Sequence, residues 1–247
     1  NAAGTHGIVL GPQLVAAPMG STASVTLDGQ GANGIHWDTR SLDCGTLVAE
    51  GRSQDATPSG HGFFLDTNDP SVTIRVEDTT LIGQSQNGYG LFLNRWPFIL
   101  PAGGTLEASG STSSASASYT DIVTFSNSFN LGPNTGSITL NGDMLVFGSV
   151  VVIGDGTFKL DGQLTANNIS FDHRGVTQMP AGMEIDDSGG TITWSQPNQN
   201  TAELCSLIAI PDMPMQLPAI TVACAQSLII RALASTITLQ QVDGVGV

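Results

Sequence analysis

Gly7-Ile8-Val9-Leu10, Gly34-Ile35-His36-Trp37, Gly62-Phe63-Phe64-Leu65 and Gly90-Leu91-Phe92-Leu93 are variants of one tetrapeptide, and their glycines stand 27, 28 and 28 residues apart. A polar residue follows the later copies: Asp38, Asp66 and Asn94. Recurrence with a period between about 20 and 50 residues marks a repeat architecture. In each copy the glycine opens a short strand, because it accepts positive φ and puts no side chain into a corner. Alternate strand residues face opposite sides. Leu10, Trp37, Leu65 and Leu93 are therefore expected in one continuous inward stack, with Val9, His36, Phe64 and Phe92 pointing outward.

Other short strands fill the repeat. Val72-Thr73-Ile74-Arg75-Val76 alternates with Val72, Ile74 and Val76 inward, and Thr80-Leu81-Ile82 leads into the polar turn Gly83–Gly88. Short strands joined by polar corners, each turn of chain bonding to the turns above and below, predict an all-β right-handed parallel β-helix. A propeller blade takes four antiparallel strands and about 40 residues, which the 28-residue period does not hold. The repeat is clear over residues 1–102, and strands are expected through residue 196. In the middle, Gly142, Gly148 and Gly154 recur every six residues, each read as ending a strand. Antiparallel hairpins are the competing reading of that segment alone. Gly103–Thr120, with SGSTSSASAS, reads as a projecting loop or a seam where the turn shape changes. Residues 197–247, with Pro211, Pro214 and Pro218, read as closing turns or a cap over the last open strands.

Composition agrees. The chain of 247 residues carries 30 glycines and 12 prolines, and only 11% of it is charged, against roughly 25% in ordinary soluble domains. Its 40% hydrophobic content is that of a packed protein. Acids outnumber bases 21 to 7, giving a formal net charge of −14. Such a charge repels nucleic-acid phosphates and anionic lipid headgroups. No apolar run of about 20 residues is present to span a bilayer. The sequence starting at Asn1 lacks a basic-then-apolar leader, so a start at a processing site or an expression boundary is expected. Three cysteines, Cys44, Cys205 and Cys224, leave one unpaired; a Cys205–Cys224 bridge and three buried thiols stand as equal readings. With no CxxC pair, neither a zinc site nor any other metal or cofactor is expected.

The segments Gly34–Trp37, Gly62–Leu65, Val72–Ile74, Thr80–Gly83 and Gly90–Leu93, with the later SITLNG and GTFKLDGQLTANNISF, resemble passenger domains of pertactin-like bacterial autotransporters. The resemblance covers about two thirds of the chain. It implies a right-handed parallel β-helix at the bacterial cell surface or outside the cell, released or truncated from a membrane barrel. It also implies an adhesin or self-associating role, with a host or matrix protein, a glycan or another copy of the chain as partner.

Glycan cleavage is the alternative, since tailspikes and pectin-degrading enzymes use the same coil. Ser59-Gly60-His61-Gly62 and Asp186-Asp187 resemble polygalacturonase elements, but their order is reversed and that family's Asn-Thr-Asp and Arg-Ile-Lys elements are missing. Glycoside hydrolysis needs two carboxylates facing the scissile bond. Lyase chemistry would need a basic residue near acids holding calcium, for which Asp38, Asp66 and Asn94 offer only a stacked polar edge. Serine-protease chemistry has only Asp187-Ser188-Gly189-Gly190, a partial echo, and four histidines (His6, His36, His61, His173) as bases. No catalytic residue is assigned. The candidate binding residues are His36, Phe64 and Phe92, expected as an outward column about 4.8 Å apart, and the competing reading is that a loop or the preceding segment covers them.

Overall fold

The computed structural model describes residues 7–10, 22–38, 41–55, 60–67, 69, 71–116, 119–131 and 136–173, and the backbone of the strands beyond 175. The described chain is all-β, in two eleven-stranded sheets and one two-stranded sheet. Every described pairing is parallel. Antiparallel hairpins in the middle segment are thereby ruled out.

The first sheet runs through Ile8–Leu10, Ile35–Trp37, Phe63–Leu65, Leu91–Leu93, Ile122–Asn130, Met144–Gly154 and Leu164–His173. It continues to Met183–Ile185, Ser206–Ala209 and Ile229–Ala232, with Ile192–Trp194 beside Leu164–His173. The second sheet holds Ser24–Gly31, Leu42–Ser53, Ile74–Ser85, Thr105–Thr112, Ser137–Asn141, Thr157–Asp161 and Val176–Met179. Thr201–Leu204, Ala219–Val222 and Val242–Gly244 extend it, and Phe98–Ile99 pairs with Ile74–Ser85. Met215–Leu217 and Ile237–Leu239 form the small sheet.

The tetrapeptides stack in register: Leu10 beside Trp37, Trp37 beside Leu65, Leu65 beside Leu93. All four are buried in a single hydrophobic core shared by both large sheets. The tetrapeptide glycines act differently from the corner role read in the sequence. Positive φ belongs to Gly103, Gly142, Gly148 and Gly154, and to none of the tetrapeptide glycines. What requires glycine is backbone proximity. A Cβ on Gly34 would lie 2.1 Å from the Arg52 nitrogen, and one on Gly62 would lie 2.2 Å from the Gln84 nitrogen. The two sheets meet here with no room for a methyl group.

Other segments are corrected as well. Val72–Val76 and Thr80–Ile82 belong largely to one strand, Ile74–Ser85, which also takes in Gly83-Gln84-Ser85. That strand keeps going because Gly83 sits between Gly51 and Gly110 in the pairing. Gly148 does not end a strand: it lies inside Met144–Gly154, where the register shifts between Val146 and Ser149. A local bulge absorbs its positive φ of 125°. Gly103–Thr120 is not one projecting loop, since Thr105–Thr112 is a paired strand of the second sheet. Its small residues match their places: a Cβ on Gly110 would meet the Asp121 carbonyl oxygen at 2.2 Å.

Gly62→Ala is expected to destabilise the protein by roughly 3 kcal/mol or more, because the clash is with backbone rather than a movable side chain. Chemical denaturation measures it, and an unchanged midpoint would refute the close contact. Thr79 offers the opposite case. It is 2% exposed and its hydroxyl has no hydrogen-bond partner, flanked in register by Leu47 and Leu106. Thr79→Val is expected to stabilise by about 1 kcal/mol, since it removes a desolvated hydroxyl at nearly constant volume.

Candidate functional site

The outward residues of the first sheet build an aromatic face. Pairing sets His36 beside Phe64 and Phe64 beside Phe92. Their ring centroids lie 4.8 and 5.0 Å apart, close to the strand spacing. On the next strand the register partner of Phe92 is the buried Val123, and the ring contacts step two residues along to Phe125, 5.9 Å from Phe92, and then to Phe147, 5.5 Å from Phe125. Phe125 and Phe147 pair in register. Exposure rises along the column: His36, Phe64 and Phe92 are half-buried, whereas Phe125 is 40% and Phe147 48% exposed. Val9, next to His36 at the other end, is exposed too.

A second file of rings lies alongside. His61 stacks on Tyr89 at 5.4 Å and on Phe92 at 5.0 Å, and Tyr89 meets Tyr119 edge-on at 5.0 Å. These rings half-cover Phe64 and Phe92, which is why the inner part of the column is not fully exposed. His61 and Tyr89 each immediately precede a tetrapeptide glycine, and that shared offset in the 28-residue period is the signal by which the sequence could have paired them. Phe125 and Phe147 lay beyond the clear repeat, and no spacing in the sequence links them to Phe92.

The second file is fixed through the backbone. The His61 N–H donates to the Asn33 side-chain oxygen at 2.8 Å, and the Tyr89 N–H donates to His61 Nδ1 at 3.3 Å. One repeat's side chain thus accepts the next repeat's backbone proton. This bond needs His61 Nδ1 unprotonated. Burial among the rings lowers the His61 pKa from 6.5 to about 4, so the imidazole is neutral at pH 7. Burial, with Tyr119 adding to it, raises the Tyr89 pKa.

Other candidate groups fall in quieter places. Asn94 donates to Asp66 at 3.2 Å, and His36 Nε2 lies 4.0 Å from the Asp66 carboxylate. The stacked edge of Asp66 and Asn94 is a hydrogen-bonded ladder. Among the described residues, no three His, Cys, Asp or Glu side chains converge as metal ligands. Cys44 is buried and free, its thiol pKa pushed up by burial and then by the charge of Asp43. Ser59, Asp186, Asp187, Ser188, His6, Cys205 and Cys224 lie outside the described residues, as does the side chain of His173.

The chain matches no family model, no curated protein and no solved structure. The functional reading therefore rests on this geometry.

The depressed His61 pKa gives a pH dependence with a definite sign. Between about pH 6.5 and 4 the unfolded imidazole takes up a proton that the folded one refuses. The contribution is present above pH 6.5 and is lost as pH falls toward 4. His61→Asn keeps an acceptor oxygen like that of Asn33 and removes the titration. The variant's melting temperature is expected to fall less than the wild type's between pH 7 and 4. A constant gap between the two curves would contradict the buried, neutral imidazole.

Proposed function

We propose that the chain is a right-handed parallel β-helix of the autotransporter-passenger kind, displayed outside the cell. Its role is that of an adhesin or self-associating surface. The alternation of main strands between two parallel sheets supports the coil. The aromatic face supports the adhesive role and is the observation that carries it. Five strands present rings to the outside, and the outer ones are well exposed. Contiguous exposed apolar surface of this kind marks a contact region. His61, which glycan cleavage would recruit, is committed to the Tyr89 N–H and to the surrounding rings.

Self-association is the form we favour, through aromatic faces of two copies. A net charge of −14 opposes it, with a reach of about 8 Å at physiological salt. Screening that charge should help rather than hinder. Beads coated with the protein are expected to aggregate more as salt rises from about 50 to 500 mM, a range over which screening shortens sharply. Phe125→Ser with Phe147→Ser should abolish the effect while leaving the melting temperature nearly unchanged. Aggregation that weakens with salt would mean that opposite charges hold the copies together, and the reading would be wrong.

A further inference from the structure

A second outward feature lies on the other sheet, where Leu42–Ser53, Ile74–Ser85 and Thr105–Thr112 end side by side. Pairing places Arg52, Gln84 and Ser111 in one row and Ser53, Ser85 and Thr112 in the next. The chain then continues into Gln54, Gln86 and Ser113. Together these residues line an open cleft of about 410 Å³, within the range of roughly 300–1,000 Å³ typical of small-ligand sites.

The middle row is structural. Ser85 donates to the Gly60 carbonyl at 2.6 Å and Thr112 to the Gly88 carbonyl at 2.7 Å, while Ser53 donates to Ala32. Arg52 is neutralised by Asp28 at 2.8 Å and by Glu50. The side chains left facing solvent are three primary amides, Gln54, Gln84 and Gln86, and the hydroxyl of Ser111, while the Ser113 hydroxyl donates to the Ser85 carbonyl at 3.4 Å. Among the described residues, no hydrophobic side chain and no carboxylate lines the cleft.

We propose that this cleft binds a neutral, extended oligosaccharide lying across the strands. Each glutamine amide offers two donors and an acceptor, and a sugar hydroxyl offers a donor and acceptors in return. With no hydrophobic side chain among its described lining residues, the cleft does not suit a lipid or an aromatic ligand. With its one cation already paired, on a chain of net charge −14, it does not suit a polyanion. Its rows repeat every strand, about 4.8 Å, comparable with the advance per sugar in an extended 1,4-linked chain. The walls are pinned: Ser113 N–H donates to the Ser85 carbonyl at 3.0 Å, and the Asn87 side chain donates to the Asp55 carbonyl at 3.0 Å. A pre-formed site loses less freedom on binding. This inference does not depend on the aromatic face.

The test uses ¹⁵N-labelled protein titrated with cellohexaose, reading the side-chain amide signals of the glutamines, with hexagalacturonate as the charged comparison. Saturable shifts of the Gln54, Gln84 and Gln86 signals are expected, with weaker binding of hexagalacturonate. Gln84→Ala with Gln86→Ala should weaken cellohexaose binding about tenfold or more, as loss of two hydrogen-bonding groups does. Both residues are exposed, and a melting curve checks that the variant is folded; Gln54→Ala is the second variant. The inference fails if cellohexaose does not bind, if hexagalacturonate binds more tightly, or if the glutamine variants bind as the wild type does. It also fails if Phe125→Ser with Phe147→Ser abolishes binding, because the sugar would then sit on the aromatic face.

Discussion

Where Gly34 faces Gly51 and Arg52, and Gly62 faces Gly83 and Gln84, two backbones come so close that a single methyl group has no room. Beside that contact the inward side chains of neighbouring strands compensate one another in size. Along the second sheet Ala49 and Ala108 flank Leu81, and Leu47 and Leu106 flank Thr79, so a small residue on one strand stands beside a larger one on the next. Along the first sheet Ile35 stands beside Phe63, and Trp37 beside Leu65. The core is pinched at the glycines and filled by large side chains beyond them. Close packing makes each of these sizes costly to change. The tetrapeptide returns because each repeat must supply the pinch and the filling at the same places.

Parallel stacking also determines how the corners are held. Side chains there bond backbone groups of a neighbouring repeat: Asn33 accepts from His61, and His61 accepts from Tyr89. Farther along, Asp121 accepts from Asp143, and Asp143 accepts from Gln163, at 3.1 and 2.9 Å. These bonds satisfy backbone groups that a turning chain takes out of the sheet ladder. The same stacking brings like residues within about 5 Å of each other, so a charged residue repeated at one place would repel its own copies. Neutral Ser, Thr, Asn and Gln avoid that penalty, which gives a physical reason for a chain only 11% charged.

The first hundred residues were legible because their period is regular and each copy keeps glycine, apolar and polar residues at fixed offsets. Leu10, Trp37, Leu65 and Leu93 could be assigned to one stack, and His36, Phe64 and Phe92 to one column, from those offsets alone. Strand length was harder to read. Ile74–Ser85 crosses Glu77 and Asp78, two exposed acids that look like a corner in the sequence; Leu42–Ser53 keeps one register alongside them, while on the other side pairing stops at Arg75 and resumes at Asp78. Beyond residue 121 the spacing shortens, with Met144 pairing Leu164 and Leu164 pairing Met183, 20 and 19 residues on. Corners there are turned in two residues, Gly142-Asp143 and Gly162-Gln163, and the 28-residue ruler no longer applies. Phe125 and Phe147 fell in this stretch and were missed for that reason.

A register that aligns the core must also align the exterior. Any outward residue type kept across repeats becomes a row, whether of rings on the first sheet or of amides on the second. A row binds an extended or repetitive partner through several weak, equivalent contacts, each adding to the effective concentration of the next. Affinity then depends on how many repeats keep the residue more than on any single one. The two rows differ in their chemistry. Half-buried rings gain most by excluding water against another apolar surface, while exposed amides trade hydrogen bonds with water for hydrogen bonds with a ligand at little net gain. The ring face is thus the stronger candidate for lasting attachment. The amide row suits brief, reversible contact along a polar chain.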